Sequence, residues 1–351
     1  MQQRIVGWDI GGAHIKAAVL ESNGCISKVY QKPCPLWKGI ELLHQAVTSI
    51  IAEISDKDAR HVMTMTGELV DLFDNRDQGV EVIIKAMQAC VKNSELFIYA
   101  GFEGFLTPQQ IQKQHYISIA SANWLASASF SATQCQKGLF IDIGSTTTDI
   151  LLLAEYKVQA ISLTDYDRMV SEELVYTGII RTAVMAVAQT AYFNGQSMGL
   201  MAEYFATMAD VYRLTGELNE GHDQTDTADG GEKTLLASAK RLSRMTGYEF
   251  VEKDLLIWKQ LAKNIKAQQK NRIKKAVERQ LSRHLITEKD FFIGAGVGRF
   301  LVKQIANDLG FPYLDFSEIV DNKLISSVVD VADCAPAASV AKLASKYPIF
   351  S

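Results

Sequence analysis

In RIVGWDIGGAHIKAAVL, residues 4–20, an apolar stretch ends with Asp9, and two glycines, Gly11 and Gly12, follow one residue later. Residues 5–8 predict a buried strand, and residues 15–20 predict its partner after a tight turn. Paired glycines let a backbone approach a ligand closely and direct its N–H groups at an anion. An ordinary hairpin is the alternative, since glycine is common in tight turns. Asp9 favours the anion-binding turn, because a structural hairpin does not require a charge at that position.

A second stretch, GLFIDIGSTTTDILLL at 138–153, repeats this design. Aligning Asp9 with Asp142 places Gly11 on Gly144, at an offset of 133 residues. Two such hairpins at domain-sized spacing predict duplicated lobes that face a shared cleft. Two carboxylates that face one cleft repel each other unless a cation or a ligand lies between them. We therefore predict that Asp9 and Asp142 are metal ligands that bind Mg²⁺ together with a di- or triphosphate.

A third motif near the C-terminus, DFFIGAGVGRFLVKQIANDLG at 290–310, predicts a strand, a glycine turn and an amphipathic helix. Its glycines, Gly294, Gly296 and Gly298, depart from the dinucleotide-binding pattern in the last interval. In chain order, the three motifs resemble the phosphate-one, phosphate-two and adenosine segments of the actin, Hsp70 and sugar-kinase superfamily. The resemblance implies an α/β, two-lobed actin-like ATPase (ribonuclease H-like) fold with duplicated mixed-sheet lobes around a central cleft.

The 351 residues exceed what one hydrophobic core usually serves. We expect a first lobe over 1–130 with the phosphate-one hairpin, and a second lobe over 131–351 with the phosphate-two hairpin. The second lobe should contain a helical insertion at about 170–285 and the glycine motif at 294–298. We expect a C-terminal helix at about 335–347 to pack back on the first lobe.

Composition excludes several classes of function. A net charge of −4 argues against a nucleic-acid surface. The sequence has no apolar run near 18 residues and no charged-then-apolar leader, so we expect a cytoplasmic protein with no membrane partner. Its five scattered cysteines lack a Cys-x-x-Cys pair and predict reduced thiols, with neither a disulfide framework nor a zinc site. The oligomeric state stays open between a monomer and a homodimer.

Polar residues within apolar stretches are further candidates for chemistry. Glu68 follows a predicted strand, either as a charge at the start of the next helix or as a catalytic base. Asn123 and Trp124 lie in a helix-prone stretch rich in small residues, where the tryptophan serves either packing or ligand contact. Asp210 falls on one predicted helical stripe, which is either a solvated face or a substrate contact.

The stretch YDRMVSEELVYTGIIRTAV, residues 166–184, spaces three polar residues at intervals of four. If it is helical, Glu173, Thr177 and Arg181 share one face. Because Arg181 lies in an apolar run, where an unpaired guanidinium is costly, we predict that it is at least partly buried. It should pair with an acid such as Glu173, or face the cleft and bind an anion.

Two charged segments leave their roles open. Asp223, Asp226 and Asp229 recur at intervals of three in the loop 217–233, which does not match an EF-hand. This loop could bind a second cation, act as a lid, or be merely solvated. Residues 259–284 contain nine Lys or Arg and predict a solvated helix, a nucleic-acid arm, or a surface that attracts anionic substrates.

Six motifs together resemble one family, the tetrahydromethanopterin-linked C1-transfer pathway proteins of methanogens and methylotrophic bacteria, also described as hydantoinase/oxoprolinase-like. They are GWDIGGAHIKAA, MTMTGELVDLF, SANWLASA, DIGSTTTDI, ELVYTGIIRT and FATMADVYRLTGEL. The resemblance implies a transferase of methanofuran biosynthesis. Such an enzyme would use Mg²⁺ to condense an aminomethylfuran-methyl diphosphate with the phenol of a glutamyl-tyramine or tyrosine-type acceptor, releasing diphosphate.

The same resemblance assigns roles to residues of this sequence. It implies diphosphate binding by Gly11, Gly12, His14, Lys16, Gly144, Ser145, Thr146 and Thr147. It implies catalytic roles for Asp9, Asp142, Glu68, Asp149 and Arg181. It implies substrate contacts for Asn123, Trp124, Glu173, Thr177, Asp210, Gly294 and Gly296.

Some of these roles have alternatives. The base that deprotonates the phenol stays open among Asp142, Asp149 and Glu68. His14 is either catalytic or an ordinary surface histidine. Ala13 stands where many ATP-using relatives carry Ser or Thr, which favours a diphosphate over ATP in the cradle.

Two other functions remain as alternatives to the transferase. An ATP-dependent small-molecule kinase would use Asp142 to deprotonate an acceptor hydroxyl. A nucleotide-dependent assembly or sensor protein would need no catalytic base.

Overall fold

The computed structural model describes residues 3–54, 58–91, 94–324 and 329–348. The chain divides into two compact units. Unit 1 comprises Met1–Phe140, Leu151–Arg168 and Leu314–Ser351, and unit 2 comprises Ile141–Ile150 and Met169–Tyr313. This division differs from the expected break after residue 130, because the chain returns to unit 1 twice after entering unit 2.

The chain forms both strands and helices. The strands are β1 (Ile5–Ile10), β2 (His14–Leu20), β3 (Ile26–Pro33), β4 (Arg60–Met65), β5 (Leu96–Tyr99), β6 (Phe105–Leu106), β7 (Lys137–Ile143), β8 (Thr148–Ala154), β9 (Lys157–Val158), β10 (Leu174–Val175), β11 (Thr190–Phe193), β12 (Gln196–Gly199), β13 (Phe291–Ala295) and β14 (Tyr313–Asp315). The helices are α1 (Glu41–Ile54), α2 (Arg76–Cys90), α3 (Tyr116–Ile119), α4 (Asn123–Gln134), α5 (Asp165–Ser171), α6 (Val184–Val187), α7 (Met208–Thr215), α8 (Leu235–Arg244), α9 (Leu255–Leu281), α10 (Arg299–Leu309), α11 (Phe316–Ile319) and α12 (Ala335–Ser345).

Unit 1 is built on a mixed sheet with the strand order β3-β2-β1-β4-β5-β6. β1 is antiparallel to β2 and parallel to β4. Apolar side chains of β1, β2 and β4 form one core with those of α1 and α2. The C-terminal helix α12 lies directly on β1, where a Cβ added at Gly7 would be 2.1 Å from the carbonyl oxygen of Ala337.

The second sheet has the strand order β10-β8-β7-β13-β14, with β9 beside β8. In unit 2, the end of β7 and the start of β8 form a hairpin, and β10 pairs antiparallel with β8 so that Leu174 lies opposite Asp149. The glycine turn after β13 leads into α10, as the sequence predicts.

Helix α9 confirms the helix expected in the basic segment. Its apolar residues Leu261, Ile265, Ile273 and Val277 are fully buried. Most of its Lys and Arg side chains lie on the more exposed side, so their charges remain near solvent. Within the described ranges, none of the helices combines the length and the hydrophobicity that a membrane crossing requires.

The helix that would place Glu173, Thr177 and Arg181 on one face does not form. Helix α5 ends at Ser171, Glu172 adopts a positive φ of 62°, and the next residues pair with β8 as β10. The segment after β10 is an irregular loop through Ala183. The prediction failed because pairing with a neighbouring strand outweighs a four-residue spacing that is compatible with a helix.

Candidate functional site

The two predicted hairpins make the same turn. In unit 1, the Gly11 N–H donates to the His14 carbonyl at 3.1 Å, and in unit 2 the Gly144 N–H donates to the Thr147 carbonyl at 2.9 Å. Each bond closes a turn from a glycine to the third residue after it. The two turns are therefore equivalent at the sequence offset that aligns Asp9 with Asp142, which supports the predicted duplication.

The glycines of the first turn meet a packing requirement. A Cβ added at Gly11 would lie 2.8 Å from the His14 carbonyl oxygen, and one at Gly12 would lie 2.7 Å from Val70 Cγ1. The segment that follows β4 also contacts this turn, since the Thr66 N–H donates to the Ile10 carbonyl at 2.9 Å. The hairpin and the β4–α2 connection are therefore held together.

Three predicted residues flank this turn. Asp9 and His14 are buried, although each is near a strand end. The Lys16 Nζ, on β2, donates to the Asp333 carbonyl at 2.7 Å. Because of this bond, Lys16 also anchors the segment before α12.

Glu68 is almost completely buried in a 3₁₀ turn, Gly67–Leu69. Its Oε1 accepts a hydrogen bond from Ser121 Oγ at 2.8 Å, and its Oε2 makes no hydrogen bond within the described residues. Burial raises the pKa of Glu68, against the opposing effect of the Ser121 hydrogen bond. Asn75 caps α2, so Glu68 is not the N-terminal helix charge that was the alternative interpretation.

Ser121 also contacts a second acid, Asp165, which pairs with Arg76. Ser121 Oγ lies 3.3 Å from Asp165 Oδ2, and Arg76 Nη2 donates to the same Asp165 oxygen at 2.8 Å. Ser121 has a positive φ of 50°, a strained conformation for a residue with a Cβ. The Ser121 hydroxyl is thus held where it can donate to either carboxylate.

Trp124 is buried near the start of α4, and Asn123 Oδ1 accepts from its backbone N–H at 2.7 Å. The guanidinium carbon of Arg168 lies 3.8 Å from the centre of the Trp124 ring, and Arg168 is itself buried. This cation–π stack favours the packing interpretation of Trp124. Contact of Asn123 or Trp124 with a substrate stays a prediction.

In unit 2, a loop after β10 holds the turn that follows β7. Backbone N–H groups of Ile179, Ile180 and Arg181 donate to the carbonyls of Gly144 and Ser145 at 2.9–3.1 Å. The described peptide bonds are trans, and carbonyl and N–H point in opposite directions across a trans peptide. The N–H groups of Ser145 and Thr146 therefore point away from the loop.

Gly178 sits at the contact between this loop and the turn. A Cβ added there would be 2.4 Å from Thr146 N, 2.5 Å from Ser145 C and 2.7 Å from Gly144 O. By contrast, a Cβ at Gly144 would meet only the Thr147 carbonyl oxygen, at 3.5 Å. Gly178 was not among the predicted site residues, although the packing of this turn requires a glycine there.

The glycine motif after β13 also packs on the hairpin. Gly296 has a positive φ of 78°, and a Cβ there would lie 2.2 Å from Asp142 Oδ1. At Gly294 a Cβ would meet the ring of Tyr313, at 2.7 Å. Packing therefore explains why both positions are glycine. Contact of Gly294 or Gly296 with a substrate stays a prediction.

Of the three spaced polar residues, Glu173 and Thr177 are buried and Arg181 is not. Glu173 is fully buried and lies 3.5 Å from Arg283, and Thr177 Oγ1 accepts from Gln269. Arg181 is exposed, so the prediction that it is buried was wrong. Its neighbours Ile179 and Ile180 are the buried residues of the loop.

Asp210 and the acidic loop form one buried ion network. Asp210 Oδ1 accepts from Arg241 Nη2 at 2.7 Å, and Arg213 bonds Asp223 at 2.6 Å. Arg241 also bonds Asp229 at 3.1 Å. The solvated-face interpretation of Asp210 is therefore wrong, and two acids of the loop, Asp223 and Asp229, are paired with arginines.

The donor set of the hairpins fits magnesium. Asp9 and Asp142 each supply a carboxylate beside a turn, and Mg²⁺ binds through one or two carboxylates together with phosphate oxygens and water. No group of three or more His, Cys, Asp or Glu that could hold a metal occurs among the residues the structure describes. Asp9 belongs to unit 1 and Asp142 to unit 2. That they share one cleft stays a prediction.

A comparison with family models places residues 60–335 in a hydantoinase/oxoprolinase match. The chain belongs to the hydantoinase/oxoprolinase family. The family resemblance expected from the six motifs is confirmed, and the match includes Glu68, the second hairpin and the glycine turn.

Two relatives carry the same name, "(4-{4-[2-(gamma-L-glutamylamino)ethyl]phenoxymethyl}furan-2-yl)methanamine synthase". The relative from Methanocaldococcus jannaschii is 32% identical over 260 residues, which cover 73% of this chain and 76% of the relative. That from Methanococcus vannielii is 31% identical over 107 residues, covering 30% of this chain and 48% of the relative.

Among solved structures, a nucleotide-free acetone carboxylase is similar over 97% of this chain and 70% of its own, with a TM-score of 0.59 and 8% identity. At this identity the likeness shows the fold alone. With the two mixed sheets, it confirms the expected α/β, two-lobed, actin-like class.

Proposed function

We propose that the chain is a synthase of methanofuran-type cofactor biosynthesis, a transferase that joins a furan-methyl carbon to a phenol oxygen. The observation that carries this proposal is the 32% identity to a synthase whose name describes a product with a phenoxymethyl group on a furan. The bond between the phenoxy oxygen and the methylene carbon of that group is the ether bond that the proposed reaction would form. The substrates would be an aminomethylfuran-methyl diphosphate and a glutamyl-tyramine or tyrosine-type phenol, both small molecules.

The second hairpin supports binding of a diphosphate leaving group. Its carbonyls at Gly144 and Ser145 are bonded to the loop, so the N–H groups of Ser145 and Thr146 are free to face an anion. Ser145, Thr146 and Thr147 are half-buried, and their hydroxyls would add further donors to the diphosphate. Hydrogen bonds from such groups stabilise negative charge as it develops on the leaving group.

Asp9 and Asp142 would hold magnesium beside the two turns. When bound, the ion would neutralise charge on the departing diphosphate. Gly296 keeps the space next to the Asp142 carboxylate clear, because any side chain there would collide with it. Arg181, which is exposed on the loop that holds the turn, could add positive charge toward the diphosphate.

Of the three candidate bases, we assign the proton transfer to Glu68, because its environment suits a phenol. A phenol has a pKa near 10, so its proton is best taken by a carboxylate whose own pKa is raised. Glu68 has a raised pKa and one oxygen without a hydrogen bond in the described residues, whereas Ser121 orients the other oxygen. In the reaction, the phenol loses its proton, its oxygen bonds the furan-methyl carbon, and the carbon–oxygen bond to diphosphate breaks with its electron pair.

The test is an assay with the purified protein, a furan-methyl diphosphate, a phenolic acceptor and magnesium, with and without ATP. We expect ether and diphosphate to form in equal amounts without ATP, and added diphosphate to inhibit. Strict dependence on ATP, with ADP formed in proportion to product, would overturn the synthase and favour the kinase alternative.

A further inference from the structure

Helix α9 has two buried glutamines on its core side, Gln269 and Gln280. The Gln269 amide is fully used: Nε2 donates to Thr177 Oγ1 at 2.7 Å and to the Gly178 carbonyl at 2.8 Å, and Oε1 accepts from the Tyr212 hydroxyl at 2.6 Å. A buried polar network whose members are all hydrogen-bonded fixes the groups that it joins. Gln269 therefore fixes the start of the loop after β10.

The atoms that Gln269 holds adjoin the second hairpin. Thr148, the first residue of β8, donates through Oγ1 to the Thr177 carbonyl at 2.8 Å. Gly178 comes next, with its Cα packed on the turn so closely that no Cβ fits. The N–H groups that bond the turn's carbonyls follow directly, at residues 179–181.

The other side of the network is equally well anchored. Tyr212, in α7, is fully buried and packs edge-on against Phe300 of α10, with the ring centres 5.4 Å apart. The Met208 N–H, at the start of α7, donates to the Thr182 carbonyl at 2.8 Å. The loop is thus held by α9 at its beginning and by α7 at its end.

We infer that Gln269 is a positioning residue for diphosphate binding: it holds the loop 177–181, which in turn aims the N–H groups of Ser145 and Thr146. It contacts no substrate itself. The inference rests on the proposed function, because it assumes that this turn binds the diphosphate. Loss of the Gln269 amide removes one hydrogen bond from Thr177 Oγ1 and one from the Gly178 carbonyl, and it thereby loosens the three hydrogen bonds that orient the turn.

The test compares Gln269→Leu with Gln280→Leu. Gln280 is a matched control, since it is buried on the same helix and its Nε2 also donates to a backbone carbonyl, that of Ser171, at 2.8 Å. We expect Gln269→Leu to bind inorganic diphosphate with magnesium about tenfold more weakly by calorimetry, about 1.4 kcal/mol. Amide hydrogen exchange at residues 179–181 should be faster than in the wild type.

Gln280→Leu should match the wild type in both measurements. If Gln269→Leu does not fold, Gln269→Glu replaces it, because a glutamate keeps the size and the acceptor for Tyr212 but cannot donate to the Gly178 carbonyl. The same weaker binding and faster exchange are expected of this variant.

Wild-type diphosphate affinity and wild-type exchange in the Gln269 variants would overturn the inference and leave the proposed function intact. Equal weakening in the Gln280 variant would also overturn it, because the effect would then be one of general stability. If the wild type itself binds no diphosphate, the proposed function fails. Exchange at 179–181 then decides separately whether Gln269 holds the loop.

Discussion

Gly178→Ala is the substitution that most directly probes the contact between the loop and the second hairpin. The added Cβ would lie 2.4 Å from Thr146 N, 2.5 Å from Ser145 C and 2.7 Å from Gly144 O. All three atoms are backbone, so no side-chain rotation relieves the overlap. Ordinary contact begins at 3.4 Å, and the turn must therefore move by about 1 Å at its closest atom.

The expected cost follows from this displacement. Forcing a methyl group into a packed site costs about 1–3 kcal/mol. Replacing glycine by alanine returns about 0.4–1 kcal/mol through the less flexible unfolded chain. The loop also donates three hydrogen bonds to the turn, each with a net value of about 0.5–1.5 kcal/mol, and the shift weakens them. We expect a net loss of about 1–3 kcal/mol.

The assay combines urea unfolding, followed by circular dichroism, with calorimetric titration of inorganic diphosphate in the presence of magnesium. Gly199→Ala is the control, because a Cβ at Gly199 meets no atom within 4 Å. The control should keep wild-type stability to within about 0.5 kcal/mol and bind diphosphate normally. Unchanged stability and affinity in Gly178→Ala would refute the argument that this contact shapes the turn.

Four further substitutions test other parts of the mechanism and the fold. Asp9→Asn and Asp142→Asn should each lower turnover on the order of 100-fold, with a much smaller change in the free energy of unfolding; the reverse pattern would contradict a metal-binding role. Glu68→Gln should abolish most turnover. Since burial raises its native pKa above the unfolded value of about 4.3, protonated Glu68 stabilises the fold at low pH, and this stabilisation is lost as pH rises through the native pKa. Unfolding at several pH values should thus show Glu68→Gln gaining on the wild type as pH rises; a constant difference would contradict the raised pKa. Asp210→Ala should cost about 3–5 kcal/mol, because the buried Arg241 loses the carboxylate that its Nη2 bonds and keeps only the longer bond to the more exposed Asp229 among the ion pairs described above. A loss below about 1 kcal/mol in urea unfolding would show that the network contributes little.

The hairpins could be predicted because their signals are local. Alternating apolar strands, an aspartate at the strand end and a glycine at the turn lie within about twelve residues, and the structure builds both turns with the same bond. The motif after β13 and the helix α9 were predictable for the same reason. Each rests on apolar periodicity within one continuous segment.

The polar sites could not be predicted, because their partners are remote in sequence. Ser121 lies 53 residues from the Glu68 that it bonds, and Gln269 lies 92 residues from Thr177. Arg181 was expected to be buried because its neighbours are apolar. In an irregular loop, however, Ile179 and Ile180 can point into the core whereas the next residue faces solvent. Only the tertiary structure decides which side of such a loop each residue takes.

The central claim is that a phenol oxygen displaces diphosphate at a furan-methyl carbon. Oxygen-18 placed in the phenol of the acceptor tests it most directly, with ether, diphosphate and any phosphorylated phenol analysed by mass spectrometry. The account predicts that the label is retained in the ether and is absent from the diphosphate, with magnesium present and ATP omitted. Label in a phosphorylated phenol, formed only with ATP, would contradict the account, because the oxygen would then have attacked phosphorus instead of carbon.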